Sequence, residues 1–141
     1  MSAFWDANAV LRLCVPGQRS PHARELLKRA DPTVWWATQV EVLGALARLH
    51  REGNLSREAF EASKVKLLRM LNSWHEVRPD AAVRECALEQ IDRYPLKAAD
   101  ALQLAAALVW CKHKPRGRWF VSNDVRLASA ALSSGFEALS V

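Results

Sequence analysis

The segment LKAADALQLAAALVW, residues 96–110, decides the fold because its apolar side chains leave almost no polar face. It follows Tyr94-Pro95, which interrupts the preceding helical pattern, and its composition favours a new helix. A helix that is apolar nearly all round is buried on every side. We therefore expect this helix inside the core, with other elements covering it.

Short apolar segments alternate with longer helical patterns along the rest of the chain. The predicted strands are residues 3–5, 34–37, 74–77, 118–122 and 136–141. The predicted helices are residues 7–15, 22–30, 56–73, 79–93 and 125–132, and one that begins at Thr38 and ends before Gly53. Strands separated by helices form parallel crossovers. We predict an α/β fold with three layers in α/β/α order around a short, mainly parallel sheet, in one domain of residues 1–141.

The composition limits the class of protein. Half of the 141 residues are hydrophobic and a quarter are charged, as in a globular domain. The longest apolar run is far shorter than the ~18 residues of a membrane-spanning helix, and the first residues lack the pattern of a signal peptide. Three cysteines without disulfide or metal-ligand spacing are predicted to be reduced, which favours a cytoplasmic protein. The net charge of +5 favours a polyanionic partner.

Four acidic residues lie where a strand-like segment gives way to a helix: Asp6, Glu41, Asp100 and Asp124. In an open α/β sheet such junctions meet at one edge, beyond the carboxyl ends of the strands. Like charges held a few ångströms apart raise one another's pKa, so a cluster that stays ionised near neutrality usually holds a cation. Carboxylate oxygens suit Mg²⁺ or Mn²⁺. The pattern therefore predicts a metal site at this edge.

Each acid also has an explanation that needs no metal, because helix N-termini attract Asp and Glu. Asp6 and Asp124 stand at N-cap positions, and Thr38 with Glu41 has the spacing of a capping box. Capping explains Asp100 least well, since its neighbours are small or apolar and an unpaired carboxylate among them is costly. A bound cation would offset that cost.

Four segments resemble, in order, the acidic motifs of PIN-domain nucleases: FWDANAVLRLCVPGQ, TQVEVLGALARLHREGNLS, LKAADALQLAAAL and FVSNDVRLASAA. Within that family the chain looks like the VapC-type toxins of type II toxin–antitoxin pairs. The resemblance implies a Rossmann-like fold and a Mg²⁺- or Mn²⁺-dependent endoribonuclease that cleaves RNA. It also implies a homodimer and a cognate antitoxin that blocks the acidic pocket.

The resemblance assigns roles to individual residues by position. The catalytic and metal-binding residues would be Asp6, Glu41, Asp100 and Asp124. The supporting polar residues would be Asn8, Thr38 and Ser122. Ala7 departs from the family pattern, in which a hydroxyl residue is common, and Gln39 replaces a frequent small residue. Basic residues are expected to contact the RNA backbone, and the candidates are Lys97, Lys114, Arg116 and Arg126.

Two other functions fit the same acids. A non-catalytic α/β binding module would use the acidic pocket to capture a basic segment of a partner. A metal-dependent phosphohydrolase of similar fold would cleave small phosphate esters instead of RNA. An exposed apolar face on helix 22–30 or helix 56–73 would serve a second copy of the chain or an antitoxin. In helix 56–73 the side chains predicted to face inward are Phe60, Leu67, Leu68 and Leu71.

Overall fold

Five short strands form the central sheet of the computed structural model, which describes residues 1–141. The strands are β1 Ser2–Trp5, β2 Asp31–Trp35, β3 His75–Val77, β4 Trp119–Val121 and β5 Glu137–Leu139. Their order is β3-β2-β1-β4-β5, and all neighbouring pairs are parallel. The chain thus extends the sheet from β1 to one side and then to the other. The order reverses between β1 and β4, the place where such sheets bind ligands.

Seven helices connect and cover the strands. They are α1 Ala7–Cys14, α2 Pro21–Arg29, α3 Thr38–Arg51, α4 Arg57–Leu71, α5 Ala81–Arg93, α6 Ala98–Trp110 and α7 Val125–Ser134. The apolar segment that predicted a core helix forms α6, in which Ala101, Leu104 and Ala105 are fully buried. The three cysteines are buried and free, as predicted. No helix combines the length and hydropathy that crossing a bilayer requires.

Each face of the sheet has its own hydrophobic cluster, because successive strand side chains point to opposite faces. Phe4 and Phe120 pack with residues of α5, α6 and α7, and their ring centroids lie 5.4 Å apart. Trp5 and Val121, the next residues in the same strands, pack with residues of α1, α2, α3 and α4. The sheet therefore separates two helical layers. The predicted α/β/α fold with a parallel sheet is confirmed.

The structure corrects the predicted bounds of β2. This strand begins at Asp31, and not at residue 34, because the Asp31 N–H donates to the carbonyl oxygen of Met1 at 2.8 Å and extends the pairing with β1. Pro32 has no N–H to donate to β3. The strand tolerates it because the pairing with β3 starts only at Thr33, so no hydrogen bond to β3 is lost. The strand ends at Trp35 because the next two residues form a turn that leads into α3.

The inward face of α4 also differs from the prediction. Leu67 is buried, but Leu68 is 50% exposed. Ser63 is buried instead, and its hydroxyl donates to the carbonyl oxygen of Cys14 at 3.1 Å. A hydrogen-bonded serine therefore holds α4 against the end of α1, at a position that a hydrophobic pattern assigns to the surface.

Candidate active site

The four acidic residues line one cavity of about 200 Å³. Asp6 follows β1 directly, Glu41 lies in the first turn of α3 after β2, and Asp124 is the N-cap of α7 after β4. Asp100 lies in the first turn of α6, which follows α5 and not a strand. The prediction that every acid marks a strand-to-helix junction is therefore wrong for Asp100. The start of α6 nevertheless reaches the same cavity as the strand ends.

Asp6 is the most buried of the four acids, with 2% of its surface exposed. Its Oδ1 accepts a hydrogen bond from the Ala9 N–H at 2.7 Å and caps α1. Its Oδ2 accepts from the Ser122 hydroxyl at 2.5 Å. The pKa of Asp6 is raised to about 6, first by burial and then by the charges of Asp124 and Asp100, although these two hydrogen bonds lower it. The buried carboxyl is therefore Asp6, whereas the sequence had pointed to Asp100.

Ser122 connects the first acidic motif to the fourth. Besides donating to Asp6, its hydroxyl oxygen accepts from the Asp124 N–H at 3.1 Å. The Asp124 Oδ1 in turn accepts from the Leu127 N–H at 3.0 Å and caps α7. A continuous set of hydrogen bonds thus joins the ends of β1 and β4. Ser122, which was predicted to be a supporting residue, therefore makes hydrogen bonds to the Asp6 side chain and the Asp124 backbone.

Glu41 is held at the cavity by a residue that the sequence analysis did not identify. Its Oε1 accepts from the Gln103 Nε2 at 3.3 Å, and the same nitrogen donates to the Thr38 Oγ1 at 3.1 Å. The expected capping box does not form, because Ala37 is the N-cap of α3 and makes no side-chain cap. The pKa of Glu41 is raised to about 7, first by burial and also by the charges of Asp100 and Asp6, although the Gln103 hydrogen bond lowers it.

Asp100 and Asp124 also border an adjoining cavity of about 450 Å³. Burial raises the pKa of Asp100, the charge of Asp124 adds to the rise, and Lys97 lowers it. Asn8, predicted as a supporting residue, lines both cavities but makes no side-chain hydrogen bond. The two cavities therefore meet at a shared wall of two carboxylates and one amide.

Of the four basic residues predicted to contact the RNA backbone, two lie beside the acids and two lie far from them. Lys97 and Arg126 line the adjoining cavity beside Asp100. Lys114 and Arg116 are exposed in the loop after α6. Since α6 has 13 residues, about 20 Å of helix separates that loop from the acidic end. The expectation that Lys114 and Arg116 would serve the acidic site is therefore not supported by the geometry.

Gln103 and Arg48 were missed as residues of the acidic cavity. Gln103 is the only amide or charged residue between positions 101 and 110, and it lies three residues after Asp100. Side chains three apart share a helix face, so this spacing was a usable signal. Arg48 follows Glu41 by two helical turns, and its place in the cavity depends on the tertiary packing of α3.

The chemistry of these side chains fits a hard divalent cation. None of the four carboxylates has a lysine or arginine partner, since the salt bridges involve only residues of α4 and the end of β3. No group of three or more acidic, histidine or cysteine side chains is arranged to hold a metal ion directly. Mg²⁺ commonly keeps several waters and binds proteins through one or two carboxylates. Oxygen donors spaced around a small cavity suit an ion of that kind.

The raised pKa values predict how the metal-free protein responds to pH. Asp6 and Glu41 have folded pKa values of about 6 and about 7, above the usual carboxyl range. The folded state therefore binds more protons than the unfolded state. The stabilising contribution of these groups is complete below pH ~4, and it is lost as the pH rises through about 7.

We expect Glu41→Gln to raise the melting temperature in EDTA at pH 8 by about 3 °C, the shift that ~1 kcal/mol gives at this size, after a discount for partial exposure. At pH 4 the variant and the wild type should melt at the same temperature. Glu85→Gln, which neutralises an exposed acid of α5, is the control. A difference in melting temperature between Glu41→Gln and the wild type that stays the same at every pH would contradict the prediction.

Comparisons with known proteins support the fold. No protein-family model and no curated protein match the sequence. Among solved structures, the chain is similar to a toxin–antitoxin complex from Klebsiella pneumoniae, with a TM-score of 0.64 and 16% identity over 89% of this chain and 88% of that one. It is also similar to VapBC-1 from nontypeable Haemophilus influenzae, with a TM-score of 0.66 and 11% identity over 98% of each chain. For FitAcB from Neisseria gonorrhoeae the TM-score is 0.61, with 17% identity over 97% of this chain and 96% of that one. The chain therefore has the fold of these proteins, in agreement with the resemblance of its motifs to VapC-type PIN domains.

Proposed function

We propose that the chain is a Mg²⁺- or Mn²⁺-dependent endoribonuclease, which acts in the cytoplasm as the toxin of a toxin–antitoxin pair. The observation that carries this proposal is the set of four carboxylates, none of them in a salt bridge, around one cavity where the strand order reverses. The structures of similar fold include toxin–antitoxin complexes, which supports the toxin role. The positive net charge suits a polyanionic substrate.

The residues that would hold the cation, directly or through its coordinated waters, are Asp6, Glu41, Asp100 and Asp124. When bound, such an ion lowers the pKa of a coordinated water and offsets the charge that develops on the phosphate. The chain's own residues supply the orientation. Ser122 donates to Asp6, and the first turns of α1 and α7 fix one oxygen each of Asp6 and Asp124. Helix N-termini also favour a phosphate nearby, because their free N–H groups carry partial positive charge.

Replacing Asp100 by Asn tests the proposed activity. We expect at least a ~100-fold loss of RNA cleavage in Mg²⁺ or Mn²⁺, because the variant loses a charged oxygen donor at the cation. Asp92→Asn removes the charge of an exposed acid on α5 and is the matched control. Undiminished cleavage by Asp100→Asn would remove Asp100 from the site.

The wild-type chain distinguishes the other two functions in the same assay. Cleavage of small phosphate esters without cleavage of RNA would favour the phosphohydrolase. Binding of a basic peptide at the acids, with no cleavage and no dependence on a divalent cation, would favour the binding module.

Lys97 and Arg126 are the basic residues that we propose as phosphate contacts. Both line the cavity that adjoins the acids and shares Asp100 and Asp124 with the acidic cavity. An RNA strand that presents one phosphate to the acids would bring a neighbouring phosphate to this cavity. Such contacts supply affinity without choosing a sequence.

We expect Lys97→Gln with Arg126→Gln, in the Asp100→Asn background that spares the RNA, to weaken RNA binding for every sequence tested. The slope of log affinity against log salt should become shallower by about 1.4, or ~0.7 for each lost phosphate contact on a single strand. The control is Lys114→Gln with Arg116→Gln, which removes the same amount of positive charge at the far end of α6. Equal slopes for the two double variants would show that charge anywhere on the surface explains the binding.

The antitoxin surface that we propose is a cavity of about 620 Å³ between α2 and α4. Its lining includes the apolar side chains Leu27, Val65, Met70 and Trp74. It also includes three cations without a salt-bridge partner, Arg19, Lys66 and Arg69. An apolar surface with unpaired positive charge is complementary to a segment that carries apolar and acidic side chains. From the sequence, helices 22–30 and 56–73 were candidates for contact with a second copy of the chain or with an antitoxin.

Val65→Asp tests this surface, because Val65 is 55% exposed and tolerates a polar replacement in the free chain. The proposed function predicts a small reading frame upstream that encodes the antitoxin, and the test titrates its product against the purified chain. We expect at least ~10-fold weaker binding, because the new carboxylate repels the acidic side chains of the partner and offsets the charge of Arg69 one helical turn away. Val40→Asp, at a site on α3 that is 70% exposed, should bind like the wild type. Unchanged binding by Val65→Asp would place the partner elsewhere.

A further inference from the structure

Gln103 is a buried polar residue of α6 that lines the acidic cavity, with 1% of its surface exposed. Its Nε2 donates to the Thr38 Oγ1 at 3.1 Å and to the Glu41 Oε1 at 3.3 Å. Its Oε1 is buried and has no hydrogen-bond partner. Both hydrogens of the amide nitrogen therefore go to the first turn of α3, while the oxygen stays free.

Packing alone does not account for this glutamine. A buried carbonyl oxygen without a partner destabilises the fold, and an apolar side chain of similar shape would avoid that cost. The neighbouring Leu104 and Leu108 fill the same core without any polar atom in their side chains. The feature that Gln103 adds is the pair of donated hydrogen bonds to α3.

Those bonds act on an acid that does not cap its own helix. Asp6 and Asp124 are each fixed by a helix cap, whereas Glu41 receives its only side-chain hydrogen bond from Gln103. The charges of Asp100 and Asp6 oppose the ionised form of Glu41. A long, half-exposed side chain under such repulsion would otherwise turn toward solvent.

We propose that Gln103 is a positioning residue, which holds Glu41 at the cavity through its amide nitrogen and is itself held by Thr38. The role of this position in cation binding rests on the proposed function. The contact between Gln103 and Glu41 does not, since it is a feature of the folded chain.

The first test measures the binding of Mn²⁺ alone to the full chain by calorimetric titration. Gln103→Met preserves the shape of the side chain, and Gln103→Leu provides a second variant. We expect both to bind Mn²⁺ at least ~10-fold more weakly, the usual effect of removing a residue that orients a metal ligand. A variant that folds and binds Mn²⁺ like the wild type would overturn the proposal.

Gln90→Met is the matched control. Gln90 is also buried in a helix and also has an unpartnered Oε1, but its nitrogen reaches only the Cys86 Sγ at 3.7 Å. Its replacement should change stability and leave Mn²⁺ affinity unaltered. An equal loss of affinity in Gln90→Met and Gln103→Met would also overturn the proposal, because a general packing defect would then explain both.

The second test needs no metal and compares thermal unfolding in EDTA of Gln103→Met, Glu41→Ala and the double variant. Their effects should be non-additive, because either substitution removes the same hydrogen bond. Additive effects would overturn the proposed contact. If the wild type binds no Mn²⁺, the proposed metal dependence fails, and this cycle alone decides the role of Gln103.

Discussion

The hydrogen bond between Ser122 and Asp6 is the interaction on which the site depends. It joins residues 116 positions apart in the chain over a distance of 2.5 Å. Trp5 of β1 and Val121 of β4 are paired in register, so the polar residue that follows each strand emerges at the same edge of the sheet. The Asp6 N–H donates to the Val121 carbonyl oxygen at 3.1 Å and continues this pairing. The register of two central strands therefore sets the spacing of the first and fourth acidic motifs.

Burial of charge at this edge works against the stability of the fold. The pKa values of about 6 for Asp6 and about 7 for Glu41 reflect burial first and the neighbouring charges second. Two short hydrogen bonds do not restore the ordinary pKa of Asp6. The apolar elements that carry the acids hold the edge together: α6 contributes both Asp100 and a run of fully buried residues around Leu104. The same helix, α6, therefore packs in the core and places the Asp100 carboxylate at the cavity.

The sequence predicted those features that depend on local pattern. The apolar surface of residues 96–110 required a buried helix, and acids at strand ends had to meet at one edge of a parallel sheet. The features that the sequence did not predict depend on tertiary contacts. β2 starts early because Asp31 pairs with the backbone of Met1, and α4 turns Ser63 inward because a distant carbonyl accepts its hydroxyl. Gln103 reaches α3 across 62 positions of the chain, a contact that no local spacing specifies.

Helix capping and participation in the site are not competing explanations for these acids. A carboxylate has two oxygens, and a cap occupies one while it fixes the orientation of the other. Asp6 caps α1 with Oδ1 and turns Oδ2 to Ser122. Thr38 and Glu41 show the converse: their spacing suits a capping box, but both accept hydrogen bonds from Gln103 instead. Local spacing therefore identifies side chains able to stand at the start of a helix, and a tertiary donor decides whether the carboxylate serves the backbone or the cavity.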